Sequence, residues 1–260
     1  MKTTLQQTTE QKNKSLLHRT LIVVSLGILL AAVPAMSRNG DARKQCEPKK
    51  FIPFSDARLR IEINGTDGDS GLHALIDAEG WEFVKIFDPR GKLVFHVMGG
   101  GSVKKTGLTE LFFESAEPGF EELPLDEFLK RFPAGHYECV GKTIEGDILY
   151  SVATLTHALP NVPVLLSPAE DSVQDRNNTV VTWQPVPDPV GSHITRYEVL
   201  IGEEGSSPKR SLSVVLPATE TSMTVPAAFL TPGKTYKWEI LAIEESGNQT
   251  LAEATFHTAP

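Results

Sequence analysis

The sequence predicts an all-β chain: two β-sandwich domains in tandem, the first with one short inserted helix, preceded by a signal peptide. Three observations carry this reading. Eighteen prolines and twenty glycines punctuate many short runs of Val, Ile, Thr and Phe, the composition of strands joined by turns. Apolar and polar residues alternate, most clearly where Tyr236, Trp238, Ile240 and Ala242 interleave with Lys237 and Glu239. At the other end, "LIVVSLGILLAAV" (Leu21 to Val33) follows Lys12, Lys14, His18 and Arg19 and closes on "PAMS", the three-part layout of a secretory signal.

That apolar run is shorter than the roughly 18 to 20 residues a membrane helix needs, and Ala35 and Ser37 offer small residues for cleavage. Residues 1–37 are therefore expected to be a signal peptide, and the mature chain to be secreted or periplasmic with no stable membrane span. No cysteine sits directly after "LLAAVPAMS", which argues against a lipid anchor. Loss of residues 1–35 removes four Lys/Arg and one acid, so the formal charge of −8 becomes −11. Nucleic acid and anionic lipid are poor partners for such a chain, because phosphate binding depends on clustered cations.

Residues 38–54 are expected to form a flexible segment, and residues 55–158 the first sandwich. In "ARLRIEI", Leu59, Ile61 and Ile63 alternate with Arg60 and Glu62, so one face is wet. "LHALID" is the next strand. "WEFVKIF" and "KLVFHV" form a hairpin through "DPRG", with Pro89 and Gly91 at the second and fourth turn positions. "GGGSVKKTG" lacks phosphate-loop spacing and reads as a hairpin connection. "LTELFF" is a strand, whereas "LDEFLKRF" places Leu125, Phe128, Leu129 and Phe132 on one helical stripe between Pro124 and Pro133. "GHYECVGKT" and "ILYSVATLTH" complete the sheet. The step "FPAGHYE" is similar to the late strand entry of bacterial immunoglobulin-like modules, and implies an immunoglobulin-like sandwich in an exported, bacterial-type protein.

Pro160, Pro163 and Pro168 mark a linker and an edge strand. Residues 160–260 then give six strands: "TVVTW", "ITRYEVLI", "SLSVVL", "TSMTV", "TYKWEILAI" and "TLAEATFHT". With Trp183 on one strand, "YEV" at Tyr197 to Val199 on the next, "LTPGKTY" from Leu230 to Tyr236 and Gly247 before the last, this half resembles a fibronectin type III domain. "LTPGKTY" fits the family's Leu-x-Pro-Gly-x-x-Tyr. The resemblance implies a corner tyrosine whose hydroxyl meets the loop backbone, and a spacer or interaction module in place of an enzyme. "EESGNQT" contains no Arg-Gly-Asp, so integrin-type adhesion is not implied.

Chemistry-bearing residues are sparse. "NGTDGDSGL" (Asn64 to Leu72) holds Asp67 and Asp69 at the two-residue spacing of calcium ligands, with Asn64, Thr66 and Ser70 nearby, which makes it a candidate calcium site. The twelfth position counted from Asp67 is Ala78, where a calcium loop has glutamate, and Asn-Gly and Asp-Gly are strong turn signals. The tight turn is the stronger reading, and no other cofactor is indicated. Cys46 and Cys139 either form one disulfide or are a tail thiol and a buried strand thiol that never meet. Trp81 and Phe83, two apart on one strand, are candidate ligand-stacking rings or core residues.

Glu110 and Glu114 share a strand face with Phe112 between them, the arrangement of a carboxylate pair. No nucleophile-elbow, His-Glu-x-x-His, Cys-x-x-Cys or Walker motif is present, and the seven histidines are scattered. The expectation is an exported, non-catalytic binding or scaffolding protein whose partner is another exported protein or a polysaccharide. The alternative is a small carbohydrate-active enzyme or accessory subunit using Glu110 and Glu114.

Overall fold

The computed structural model describes residues 50–260; the export signal, its cleavage bond and Cys46 lie outside the described residues. The first half runs β1 (Phe51–Ile52), β2 (Asp56–Asn64), β3 (Asp69–Phe87), β4 (Leu93–Met98), a one-turn helix α1 (Val103–Thr106), β5 (Leu108–Glu114), α2 (Leu125–Arg131), β6 (Gly135–Thr143) and β7 (Ile148–Leu155). Strand β3 organises it. Its first part pairs antiparallel with β2, from Asn64 opposite Asp69 to Asp56 opposite Asp77, and with β5 on the other side. Its last part pairs with β4 and β6. One 19-residue strand thus serves both layers of the sandwich, where the sequence suggested two.

The crossing is made by irregular pairing between Asp77 and Trp81 and again between Trp81 and Phe83. A bulge inserts a residue and re-aims the side chains beyond it. Trp81 therefore turns inward, with no exposed surface, and its Nε1 donates to Thr109 O at 3.2 Å. Phe83 stays half-buried, with Lys85 Nζ 5.6 Å from its ring centre. Of the two readings of these rings, Trp81 takes the core one, and the two do not share a face because the bulge breaks the period of two between them.

The core behind β3 gathers Leu59, Ile61 and Ile63 from β2, Leu72, Ala74 and Ile76 from β3, and Tyr137 and Cys139 from β6. Helix α2 spans Leu125–Arg131 with Pro124 at its N-cap, as its stripe foretold, and closes the core with Phe128. The segment expected to be flexible up to residue 54 joins this unit earlier. Phe51 and Ile52 pair parallel with Ile148 and Leu149, and the Phe54 ring is buried. A two-residue strand has no periodicity for sequence to display.

The second half comprises β8 (Leu165–Ser167), β9 (Ser172–Gln174), β10 (Val180–Trp183), β11 (Ile194–Glu203), β12 (Ser211–Pro217), β13 (Ser222–Thr224), β14 (Thr235–Glu244) and β15 (Gln249–Thr258). One layer is β13-β10-β8; the facing layer runs β12-β11-β14-β15, with β9 also on β15. Between them Trp183, Tyr197, Tyr236, Trp238 and Phe256 are fully buried, with Trp183 edge-on to Tyr197 at 5.4 Å and Tyr236 stacked on Phe256 at 5.4 Å. The Tyr236 hydroxyl accepts the Thr231 N–H at 2.7 Å, which pins the "LTPGKTY" corner. Among the described residues, no helix is long and apolar enough to cross a membrane.

The two halves share one sheet. Parallel pairing sets Gln249, Thr250 and Leu251 of β15 against Glu62, Ile63 and Asn64 of β2, so the hydrogen-bonded path continues across the boundary. Asn248, fully buried in the turn before β15, completes the join. Its Oδ1 accepts the Ile61 N–H at 2.8 Å, while its Nδ2 donates to Thr156 O, Thr156 Oγ1 and Ala158 O at 3.1, 2.9 and 3.2 Å. The turn itself is held by buried Glu244, whose carboxylate accepts the N–H groups of Ser246 and Asn248 at 2.9 Å each.

Two substitutions test these contacts. Asn248→Ala strands the buried Ile61 N–H and two carbonyls, and is expected to cost roughly 3 kcal/mol by denaturant titration. Tyr236→Phe removes the corner acceptor and the hydroxyl's long donation to Glu203 Oε2 at 3.4 Å, and is expected to cost about 1–2 kcal/mol, with the packed rings unchanged.

Candidate functional site

The outward face of β3 carries Asp69, Gly71, His73 and Leu75, because Leu72, Ala74 and Ile76 point into the core. Antiparallel register sets Arg60 of β2 on one side of His73 and Glu114 of β5 on the other, with Glu62 opposite Gly71. The chain stays against β3 beyond β5: Ser115 N donates to Leu72 O at 2.9 Å and Phe120 N to Gly68 O at 2.8 Å. This brings Glu117 over Gly71. A Cβ on Gly71 would lie 2.8 Å from Glu117 Oε1, so glycine leaves the space the carboxylate occupies.

The result is one convergence of Glu62, His73, Glu114 and Glu117, their ligand-type atoms all within 4.8 Å of one another. It is the one group of three or more His, Cys, Asp or Glu side chains that converges in this way among the described residues. His73 is 4% exposed, and its Nε2 has no hydrogen-bond partner; it faces Glu62 Oε1 at 3.8 Å and Glu114 Oε1 at 3.9 Å. Its Nδ1 is 3.4 Å from Arg60 Nε, and Phe112 stands edge-on to the ring at 5.6 Å. Gln249, from the other half, donates through Nε2 to Glu62 Oε2. The cluster therefore lies at the junction, with one side chain from β15 fixing one of its carboxylates.

Its electrostatics follow from burial and like charge. Burial, reinforced by the Arg60 charge, lowers the His73 imidazole to about 4, so the ring is neutral at pH 7. Burial pushes Glu117 up to about 7, with the charges of Glu114, Glu62 and Asp69 adding to it. Burial also raises Glu62, against the hydrogen bond from Gln249. Beside the cluster a small groove, about 100 Å³ in volume, is lined by Arg58, Arg60, His73, Phe112, Arg196 and Gly247.

Asp67 lies within the hairpin turn between β2 and β3, and Asp69 opens β3. Asn64 Oδ1 accepts the N–H groups of Thr66 and Asp67 at 2.9 and 3.1 Å, and Asn64 Nδ2 donates to Asp67 Oδ2 at 3.1 Å. Gly68 takes φ +72° and donates to Asn64 O. Asp69 has one buried oxygen without a partner, and its carboxyl is raised by burial and then by Asp67. It borders the cluster on the same face and is not one of the four residues that converge. Glu114 joins the cluster, while Glu110 stands across from Asp77 on the same outer face of β5. Cys139 has no exposed surface, and burial pushes its thiol up to about 12.

Sequence reading missed Glu62, His73 and Glu117, which come from three separate segments. The hairpin at Asn64–Asp69 was the available signal: once that turn is accepted, register alone sets Arg60 opposite His73 and Glu62 opposite Gly71.

The same loop also docks the second half. Gly65 N donates to Leu251 O at 2.8 Å, and Thr66 Oγ1 accepts the Glu253 N–H at 2.9 Å. A Cβ on Gly65 would stand 2.4 Å from both Cγ atoms of Val162 in the linker.

Fold and junction together define a tandem of β-sandwich modules joined edge to edge. Residues 168–258 match the family model described as the fibronectin type III domain, and the C-terminal sandwich is a fibronectin type III domain. Such domains are typically binding or scaffolding modules of extracellular proteins. Solved structures similar to this chain include the FN1–FN3 domains of chicken CNTN1, 15% identical over 81% of this chain and 65% of that one, at a TM-score of 0.36. Another is a segment of two fibronectin type III domains from chicken tenascin, 12% identical over 79% of this chain and 99% of that one, TM-score 0.29. A third is the BSP domain of a biofilm associated protein, 12% identical over 79% of this chain and 29% of that one, TM-score 0.25.

Gly65→Ala is expected to lower stability by about 1–2 kcal/mol through overpacking against the β-branched Val162. Adding Val162→Ala should recover most of that loss in the same melting experiment; no recovery would place the strain elsewhere.

Proposed function

We infer that the protein is an exported, non-catalytic binding or scaffolding protein that presents two sandwiches as one stiff unit to another exported protein or a polysaccharide. The observation that supports this most is the shared sheet at the junction. Fibronectin type III domains bind or space, and here the domain is fused to its neighbour through buried, hydrogen-bonded side chains, so its surfaces are held at a fixed distance and angle from those of the first sandwich. A fixed spacing is what a scaffold requires, and it lowers the ordering cost of a two-domain binding surface. The export signal read at residues 1–37 supports a location outside the cytoplasm.

The rival reading, a small carbohydrate-active protein, draws on Glu110, Phe112 and Glu114, which do share the outer face of β5. The two readings separate on polysaccharide. Binding on a glycan array without release of reducing ends supports the scaffold, whereas release that Glu114→Gln abolishes overturns it.

Export has its own test. Expressed in a bacterial host, the chain should be recovered outside the cytoplasm, and its first residue by N-terminal sequencing should be Met36 or Arg38. An intact, uncleaved chain confined to the cytosol would rule the reading out.

A further inference from the structure

We propose that Glu62, His73, Glu114 and Glu117 form a binding site for one divalent transition-metal ion of the zinc class, set at the junction of the two sandwiches. Three carboxylates and one imidazole converge within 4.8 Å, and a nitrogen donor among carboxylates suits zinc and its neighbours, whereas calcium takes oxygen donors alone. Carboxylates gather on solvated surfaces without an ion, so their convergence alone does not mark a metal site, whereas a buried histidine among them does. His73 is 4% exposed, and its Nε2 points between Glu62 and Glu114 with no hydrogen-bond partner. Buried polar atoms in native proteins are nearly always partnered, and an exception calls for an explanation; a coordinated ion supplies one.

Two further features fit the same ion. Gly71 leaves the floor of the site open where a Cβ would meet the Glu117 carboxylate at 2.8 Å. Gln249 holds Glu62 by one oxygen and leaves the other, at 3.8 Å from His73 Nε2, turned toward the centre, which is the outer support that metal-ligating carboxylates ordinarily have. Ligands of a tetrahedral ion with bonds of about 2.0–2.1 Å stand roughly 3.3 Å apart. The distances of 3.8 and 3.9 Å therefore need to close by about half an ångström. Arg60 Nε faces His73 Nδ1 at 3.4 Å, which places the ring proton on Nε2 when no ion is bound. Capture of the ion moves that proton to Nδ1, and the long contact with Arg60 opens.

The test uses the mature chain stripped with a chelator and titrated calorimetrically with Zn2+ alone, then with Co2+, whose visible absorption reports tetrahedral coordination. One equivalent of Zn2+ should bind, with cobalt bands of the tetrahedral kind. Loss of an outer partner typically weakens a metal about 10–100-fold, and His73→Ala, which deletes a ligand, should weaken it by about 100-fold or more. Gly71→Ala adds only a methyl group that displaces the flexible end of Glu117. It should weaken Zn2+ binding at least tenfold while circular dichroism stays unchanged, so it decides the matter if His73→Ala does not fold. Asp67→Asn should bind as the wild type does. Absence of a one-equivalent Zn2+ site in the wild type would overturn the proposal. So would full affinity in a folded Gly71→Ala, or binding of Ca2+ without Zn2+ that Asp67→Asn abolishes.

Discussion

The relation of the two sandwiches depends on one buried side-chain amide. Three parallel residue pairs between β2 and β15 are a short ladder, and neighbouring domains are by default free to move against each other. Asn248 changes that balance. Its amide oxygen takes up a main-chain N–H from β2, and its two amide hydrogens are spent on the end of the first sandwich at Thr156 and Ala158. Fully satisfied and removed from water, such a network is stiff, because any opening leaves several polar groups unpaired in a medium that does not replace their hydrogen bonds. Glu244 makes the arrangement reliable by shaping the turn from within, so that Asn248 reaches the junction already in place.

The cluster on β3 follows from the same join. The outer face of a sandwich strand ordinarily meets water, where three carboxylates repel one another only weakly. Here the loop after β5 brings Glu117 over one side and Gln249 of the neighbouring β15 reaches Glu62 on the other, so His73 and Glu62 are on the outer face yet largely withdrawn from solvent. Burial is the first cause of each shift in this group: His73 downward, Glu62 and Glu117 upward. Gly71, the residue with no side chain to offer, sets how closely Glu117 can approach.

The fibronectin type III half was legible because its signals are local and agree with one another. Tyr236, Trp238 and Ile240 alternate in sequence and are buried together in the fold, and the corner motif predicts a hydrogen bond that the structure contains. The first half was legible strand by strand but not in its layering. Nothing in "DAEGWEF" announces that one strand crosses between sheets, since the bulge that turns Trp81 inward and Phe83 outward is set by what packs on either side. The cluster was half legible. Residues 60 to 73 follow from a turn the sequence does signal, whereas Glu114 and Glu117 arrive by a pairing of β5 with β3 across some 40 residues, for which local pattern holds no information.

The segment "NGTDGDSGL" shows where that difference leads. Its oxygens drew attention as donors for an ion, but most are committed to the chain itself. Asn64 Oδ1 is taken by two main-chain N–H groups, Asp67 Oδ2 by the Asn64 amide, and Thr66 Oγ1 by β15. The residues that make the loop rich in polar atoms are thus the ones that shape the turn and bind it to the next domain. The turn's lasting effect is one of register: by fixing Asn64 opposite Asp69 it delivers Glu62 and His73 to the same face. In a tandem of sandwiches, polar chemistry concentrates where a strand's outer face is covered by its neighbour, because only there does a polar side chain lose water without entering the core. Residues 64 to 73 pass from the turn that builds the junction directly into the face that it covers.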